Sequence, residues 1–359
     1  MTGRGIDQIL PHPSPARLHE SCVKNAVHYV TLAERRNGDI PRPVCPTYIW
    51  GAAPKVLDDI KPDLRIANLE TSITANNNFW PGKGIHYRMA PGNIHCLEAA
   101  NFDCCTLANN HVLDWGYAGL GDTITALNNA GIATTGAGRS IDAATAPARI
   151  SITRRNDVLI FGFADASSGV PQAWRADKKR AGVNLLPDLT IDSARRVTEQ
   201  ILAVKGVGDI VVASIHWGAN WGYDIPDAQS KFAHYLIDHG AADIVHGHSS
   251  HHPKTVEIYR QKPIIYGCGD FITDYEGIGG REEYRPWFSL MYFVTLNLQS
   301  GNIEALNVVP LRAHRMRLVH VSTEDRRWLL EKLNALGKAF STRFTLADDR
   351  LVLVEPIVP

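Results

Sequence analysis

The 359-residue sequence predicts an α/β fold, a layered α-β-β-α sandwich with a strand-rich C-terminal part. Short apolar runs alternate with amphipathic helical ones, polar side chains gather where those runs stop, and strand-like runs dominate beyond Thr255. After a Pro-rich start, the spacing of Leu18, Cys22, Ala26, Tyr29, Val30 and Ala33 predicts a helix over Ala16–Arg36. Pro41 to Pro46 form a loop. Strands are predicted at Leu64–Leu69, Cys104–Leu107, Ile132–Thr135, Val158–Phe163, Ile210–Ile215 and Ile244–His246. Helices are predicted at Asn93–Asn101, Leu120–Asn129, Ile191–Val204 and Asp227–His239. Beyond them come strands at Val256–Tyr259, Ile264–Tyr266, Leu290–Leu298 and Ile303–Val309, a helix at Thr323–Lys338 and a last strand at Leu351–Val354. No stretch has the composition of a flexible linker. Residues 1–311 therefore read as one domain, with 312–359 a helix-strand appendix packed on it.

Hydrophobic residues make up 45% of the chain and charged residues 21%, ordinary values for a globular protein. Lys+Arg and Asp+Glu are both 37, a balance that argues against nucleic acid, or any acidic polymer held by bulk electrostatics. The N-terminus has no apolar signal core, and no run reaches the ~18 apolar residues of a membrane span, so the expectation is a cytoplasmic chain without a membrane anchor. None of the six cysteines forms a CxxC pair; six buried, reduced thiols are expected.

The chemistry-bearing residues sit where strand-like runs end, the place where α/β sheets build sites. Glu70 closes the run from Leu64. Asn109, Asn110 and His111 follow Cys104–Ala108, with Asp114 three residues on. His216 follows Ile210–Ile215, and His246, Gly247 and His248 end the next run, with His251 and His252 beyond. Asp270 follows Tyr266-Gly-Cys-Gly. Any one of these reads as a turn, a cap or a hydrogen-bonded histidine. Together, imidazoles, a carboxylate and an amide oxygen from separate strand ends make a mixed N/O set suited to a divalent metal such as Zn, Mn or Fe.

Asn68-Leu69-Glu70, Ala108-Asn109-Asn110-His111 with Asp114 and Gly116, His216-Trp217-Gly218, Gly247-His248-x-x-His251 and Ile265-Tyr266-Gly267-Cys268-Gly269-Asp270-Phe271 occur in one order. In that order and spacing the chain resembles the CapA-type family of poly-γ-glutamate biosynthesis proteins, which looks like a branch of the calcineurin-like metallophosphoesterases. The resemblance implies metal ligation by Glu70, Asn110, His216, His248 and His251. It makes His111 the non-ligand histidine acting as general acid, with Asp114 orienting it. It also implies a metal-dependent hydrolase of phosphoester or amide bonds in poly-γ-glutamate or capsule polymer metabolism. The rival readings are a non-catalytic polymer-binding or assembly component and a tailoring hydrolase of a small-molecule pathway. The partner these readings imply is an acidic polymer or a small-molecule substrate.

The sequence departs from the family at two places. The segment often written Tyr-Ser-Leu-Gly-Asn-Phe is Tyr-Gly-Cys-Gly-Asp-Phe, so Asp270 either adds a carboxylate near the site or caps a turn. Met1-Thr2-Gly3-Arg4-Gly5 resembles the segment directly after the family's opening strand and its ligand Asp. On that resemblance the numbered chain is expected to lack both, and to hold at most one metal, on the His216/His248 side, with little hydrolytic activity. Asp7 and Asp39 are possible stand-ins for the ligand.

Overall fold

The computed structural model describes residues 1–154 and 156–354, and three larger sheets organise them. The first sheet is parallel throughout, with β1 (Ile66–Asn68), β2 (Cys104–Thr106) and β3 (Ala133–Thr135) side by side in that order. The second sheet comprises β4 (Ala148–Ser151), β5 (Asp157–Ala164), β6 (Ile210–His216), β7 (Ile244–His248), β8 (Val256–Tyr259) and β9 (Lys262–Ile265). They lie in the order β8-β9-β7-β6-β5-β4. Its four inner strands run parallel, and β4 and β8 pair antiparallel at the two edges. The third sheet is antiparallel: β10 (Phe288–Leu296), β11 (Ile303–Ala313), β12 (Arg343–Ala347) and β13 (Arg350–Val354), ordered β10-β11-β13-β12. Because β13 pairs with β11 through Asn307 opposite Val352, this sheet spans the 311/312 position.

The burial of each element follows from its sequence. All seven residues of β6, Ile-Val-Val-Ala-Ser-Ile-His, are buried, as befits a central parallel strand covered on both faces. One face packs with Val158, Ile160 and Cys104 between the first two sheets. The other meets the helices Ile191–Leu202 and Asp227–Asp238 through Ala194, Val197, Ile201, Phe232 and Leu236. The first of these helices is started by Thr190, whose hydroxyl accepts from the Ser193 N–H. On the far side of the first sheet, the helix Gly116–Asn129 places Leu120 and Leu127 in the core that holds Cys105 and Leu107. This layering turns the carboxyl ends of β1, β2, β6 and β7 to one side, where the polar residues lie.

The helix expected over Ala16–Arg36 forms only from Val27 to Asn37. Leu18 N–H instead bonds Lys24 C=O, and Arg17 bridges Asn25 in a tight reversal. The reversal carries Glu20 to Arg4 and Tyr29, and this buried polar contact outweighs local helical spacing. The helix expected over Asn93–Asn101 shrinks to a 3₁₀ turn, Pro91–Asn93, and one helical turn, His95–Glu98.

Among the described residues strands β1 and β10 each have one unpaired edge, and both edges border a groove of about 770 Å³. Its walls are apolar, including Ile66, Val212, Ile244, Leu290 and Val294, with Glu70, His248 and Asp270 also lining it. Among the described residues no helix is long and apolar enough to cross a membrane.

All six cysteines are free, with Cys22 and Cys45 exposed and Cys96, Cys104 and Cys105 buried. Burial pushes the Cys96 and Cys104 thiols up to about 12, which keeps them unreactive. A thiol reagent should therefore titrate Cys22 and Cys45 rapidly in the native protein, and all six after unfolding without reductant. A total of four or fewer would reveal a disulfide.

Candidate functional site

Two residues beyond β1, the Glu70 carboxylate turns inward and accepts from the Asn68 amide at 3.1 Å. Asn109, fully buried after β2, ties the two loops together. Its amide donates to Asn68 Oδ1 at 3.0 Å and to the Leu69 carbonyl at 2.9 Å, while its own oxygen accepts from the His111 N–H at 3.1 Å. With the backbone so fixed, Asn110 and His111 are presented to the cluster on consecutive residues.

Strands β6 and β7 run parallel with His216 opposite His248. The two-residue period of a strand then places Ser214, His216, His246 and His248 on one face. Their polar atoms form a chain. His216 Nδ1 lies 2.7 Å from His248 Nδ1, His248 Nε2 is 2.9 Å from Ser214 Oγ, and Ser214 Oγ is 3.0 Å from His246 Nδ1. Gly247 makes the inward turn of both histidines of β7 possible, since a Cβ there would fall 2.6 Å from the Ile265 carbonyl. Burial holds all three imidazoles below their usual pKa, His246 down to about 4, so each is neutral at pH 7.

The outer nitrogen of His216 is where the strand ends meet. His216 Nε2 stands 3.2 Å from Asn110 Oδ1 and 3.8 Å from Glu70 Oε1. Burial pushes the Glu70 carboxyl up to about 7, with His251 pulling in the opposite direction. His251 lies on the Asp270 side, its Nδ1 3.1 Å from both Asp270 oxygens and its Nε2 3.5 Å from Tyr275 Oη. Burial opposes the charge of His251, but Asp270 and Glu70 more than offset it, so its pKa lies above the usual value. Asp270 thus pairs with His251 instead of capping a turn.

His111 and Asp114 form a pair beside this cluster, His111 Nδ1 being 2.7 Å from Asp114 Oδ2. Burial pushes His111 down to about 4 against the pull of Asp114, whereas His111 and Lys83 overcome burial to hold Asp114 below its usual range. The pair is therefore a neutral imidazole donating from Nδ1 to a carboxylate, and Nε2 is left as its other polar atom. The Asp114 carboxylate also accepts from the Tyr87 N–H at 2.6 Å, and this second bond fixes its orientation.

Of the five expected ligands, Glu70, Asn110 and His216 face one another, whereas His251 pairs with Asp270. His248 engages both ring nitrogens elsewhere, with His216 and Ser214. Asp7 lies apart in the helix Gly5–Ile9, where it accepts from Ser14, Ala90 and Asn93, and Asp39 is exposed. Among the described residues no three His, Cys, Asp or Glu side chains are placed to hold an ion; the convergent trio includes the amide of Asn110.

The donor chemistry nevertheless fits one divalent cation. If His216 Nδ1–H donates to His248, and His248 Nε2–H to Ser214, then His216 Nε2 keeps its lone pair toward two further oxygen acceptors. Three such acceptors facing one another repel unless a proton or a cation stands between them. Contributors outside the expected ligand and proton-transfer set include Asn109, Ser214 and Lys83. Asn109 is legible in the Asn-Asn-His run, but Lys83, in a Pro-Gly-Lys-Gly loop, has no sequence signal that separates it from a solvent lysine.

The chain matches the family described as "bacterial capsule synthesis protein PGA_cap" over residues 1–275. It is 46% identical over 357 residues to a probable polyglutamine synthesis accessory protein of Mycobacterium tuberculosis (strain ATCC 25618 / H37Rv), covering 99% of this chain and 94% of that protein. It is 32% identical over 216 residues to the PGA biosynthesis protein CapA of Bacillus subtilis (strain 168), covering 59% of this chain and 53% of that protein. Against the capsule biosynthesis protein CapA of Bacillus anthracis, identity is 28% over 231 residues, 64% of this chain and 52% of that protein.

Proposed function

Because the chain belongs to the bacterial capsule synthesis protein family PGA_cap, we propose that it is a metal-dependent hydrolase of a phosphoester or amide bond, acting in poly-γ-glutamate or capsule polymer metabolism. Its layered sheets are read as a sandwich of the calcineurin-like metallophosphoesterase type. The observation that carries the proposal is the approach of Glu70 Oε1 and Asn110 Oδ1 to His216 Nε2, with the His111–Asp114 pair alongside. Glu70, Asn110 and His216 would hold one divalent ion, with His248 and His251 adjoining it as further ligands or supports. Such an ion supplies Lewis acidity toward an ester or amide oxygen. His248 and Ser214 fix the His216 ring, and Glu70 contributes the negative charge. His111 exchanges a proton with the leaving group through Nε2, while Asp114 holds the Nδ1–H tautomer. The free protein keeps His111 neutral, so the acid role requires a bound anion to raise its proton affinity.

The second reading, a non-catalytic polymer-binding component, is favoured by the engagement of His248 and His251 with protein partners. Metal analysis after loading with Mn²⁺ and gel filtration separates the two, combined with assays on p-nitrophenyl phosphate and oligo-γ-glutamate. The hydrolase reading expects about one equivalent of metal and metal-dependent turnover. Binding of oligo-γ-glutamate without metal or turnover would leave the binding component, whereas cleavage of the phosphoester alone would point to small-molecule tailoring.

A further inference from the structure

We propose that Lys83 is the oxyanion-recognising residue of this site, contacting a phosphate or carboxylate of the substrate; the assignment rests on reading the Glu70–Asn110–His216 cluster as the reactive centre. The Lys83 ammonium contacts Asp114 Oδ1, lies 3.0 Å from His111 Nδ1, and stands 5.2 Å from the centre of the Trp174 ring. The proton on His111 Nδ1 is committed to Asp114, so that nitrogen has no lone pair to offer. In that tautomer one of the three ammonium N–H groups is answered by Asp114, and the others have no protein acceptor among the described residues. A second donor in the same place is also orphaned. Trp174 is fully buried, yet its indole N–H has no acceptor among the described residues.

The ammonium sits on the His111–Asp114 pair, and His111 directly follows Asn110, whose Oδ1 lies 3.2 Å from His216 Nε2, so the charge borders the cluster. Arg4 lies 4.3 Å from the centre of the Tyr87 ring, which packs on His111, but its guanidinium is closed off by Glu20 and Asp274, with only 2% of the side chain exposed. The Lys83 side chain retains 14% exposure. An ammonium anchored by one carboxylate, with spare donors beside neutral imidazoles, is chemically suited to a ligand oxyanion.

The test uses the full chain loaded with Mn²⁺ and titrates inorganic phosphate and, separately, tri-γ-glutamate by calorimetry. Lys83→Met should weaken the recognised anion about 10- to 100-fold, the loss expected for a charge-assisted contact. Lys83→Arg should stay within about threefold of the wild type. The probe that loses affinity names the source, phosphate or carboxylate. Metal content and the melting midpoint serve as controls for an intact site. Unchanged affinity for both probes in Lys83→Met, or no binding of either by the wild type, would overturn the assignment. Lys83-dependent binding without turnover would uphold it while removing the hydrolase reading. Turnover with a KM indifferent to Lys83→Met would do the reverse.

Discussion

Replacing His111 by Ala should lower metal-dependent turnover by ~10²–10⁴ while metal content stays at the wild-type level. The size of the effect is that of a positioned proton-transfer group. The selectivity follows from geometry, because the ring is held by Asp114 at 2.7 Å and does not take part in the His216 chain. His216→Ala should behave in the opposite way, losing metal and activity together, since its Nε2 is the nitrogen that Asn110 and Glu70 face. Asp114→Asn is the informative companion. An amide at that position cannot neutralise Lys83 and can present its NH₂ to His111 Nδ1, so the ring would turn to the wrong tautomer and turnover should fall without loss of metal. If His111→Ala lost metal and its remaining holo-protein turned over normally, His111 would be a ligand and the proton-transfer role would pass to another residue.

Arg4→Met should destabilise the fold by about 3–5 kcal/mol, the range for removing one partner of a buried ion pair. The Arg4 guanidinium bonds both Asp274 oxygens at 2.7 and 3.1 Å and Glu20 Oε1 at 3.0 Å, and it lies 3.9 Å from the centre of the Tyr29 ring. Asp274 is fully buried, so loss of Arg4 removes its ion-pair partner and leaves, among the described residues, the Gly5 N–H as its remaining hydrogen bond. Urea unfolding monitored by circular dichroism reads the change. The double variant Arg4→Met, Asp274→Asn should recover part of it, because the Asp274 charge is then gone while Glu20 still lacks its cation. A loss below about 1 kcal/mol for the single variant would show that water reaches the pair. The network also borders the site: Arg4 lies 4.3 Å from the Tyr87 ring centre, and Tyr87 Oη is 3.2 Å from Tyr275 Oη, the hydroxyl beside His251. Loosening it should therefore raise the mobility of the His251 side of the cluster before it disturbs His216.

What the sequence by itself determined is everything that depends on short-range pattern. Apolar runs of strand length located β1, β2, β5, β6, β7 and β9 to within a few residues, because a buried parallel strand needs continuous apolar side chains. The same runs marked Glu70, Asn110, His111, His216 and His248 as candidates, since a polar residue directly after a strand has only the loop end of the sheet to occupy. The short separation of His111 and Asp114 also made their pairing legible. The tertiary structure alone decided which of these residues face one another. His216 meets His248 because β6 and β7 are parallel neighbours in one register, a relation between residues 32 apart that no local pattern encodes. Asp270 reaches His251, and Lys83 reaches Asp114, through loops whose paths are set by packing. The segment before Val27 departs from its helical spacing for the same reason. Glu20 is drawn to Arg4, whose other carboxylate, Asp274, is 270 residues from it in the chain. A buried charge requires its counter-charge wherever the chain can supply one, and that requirement is stronger than the few tenths of a kcal/mol per residue by which local propensity favours a helix.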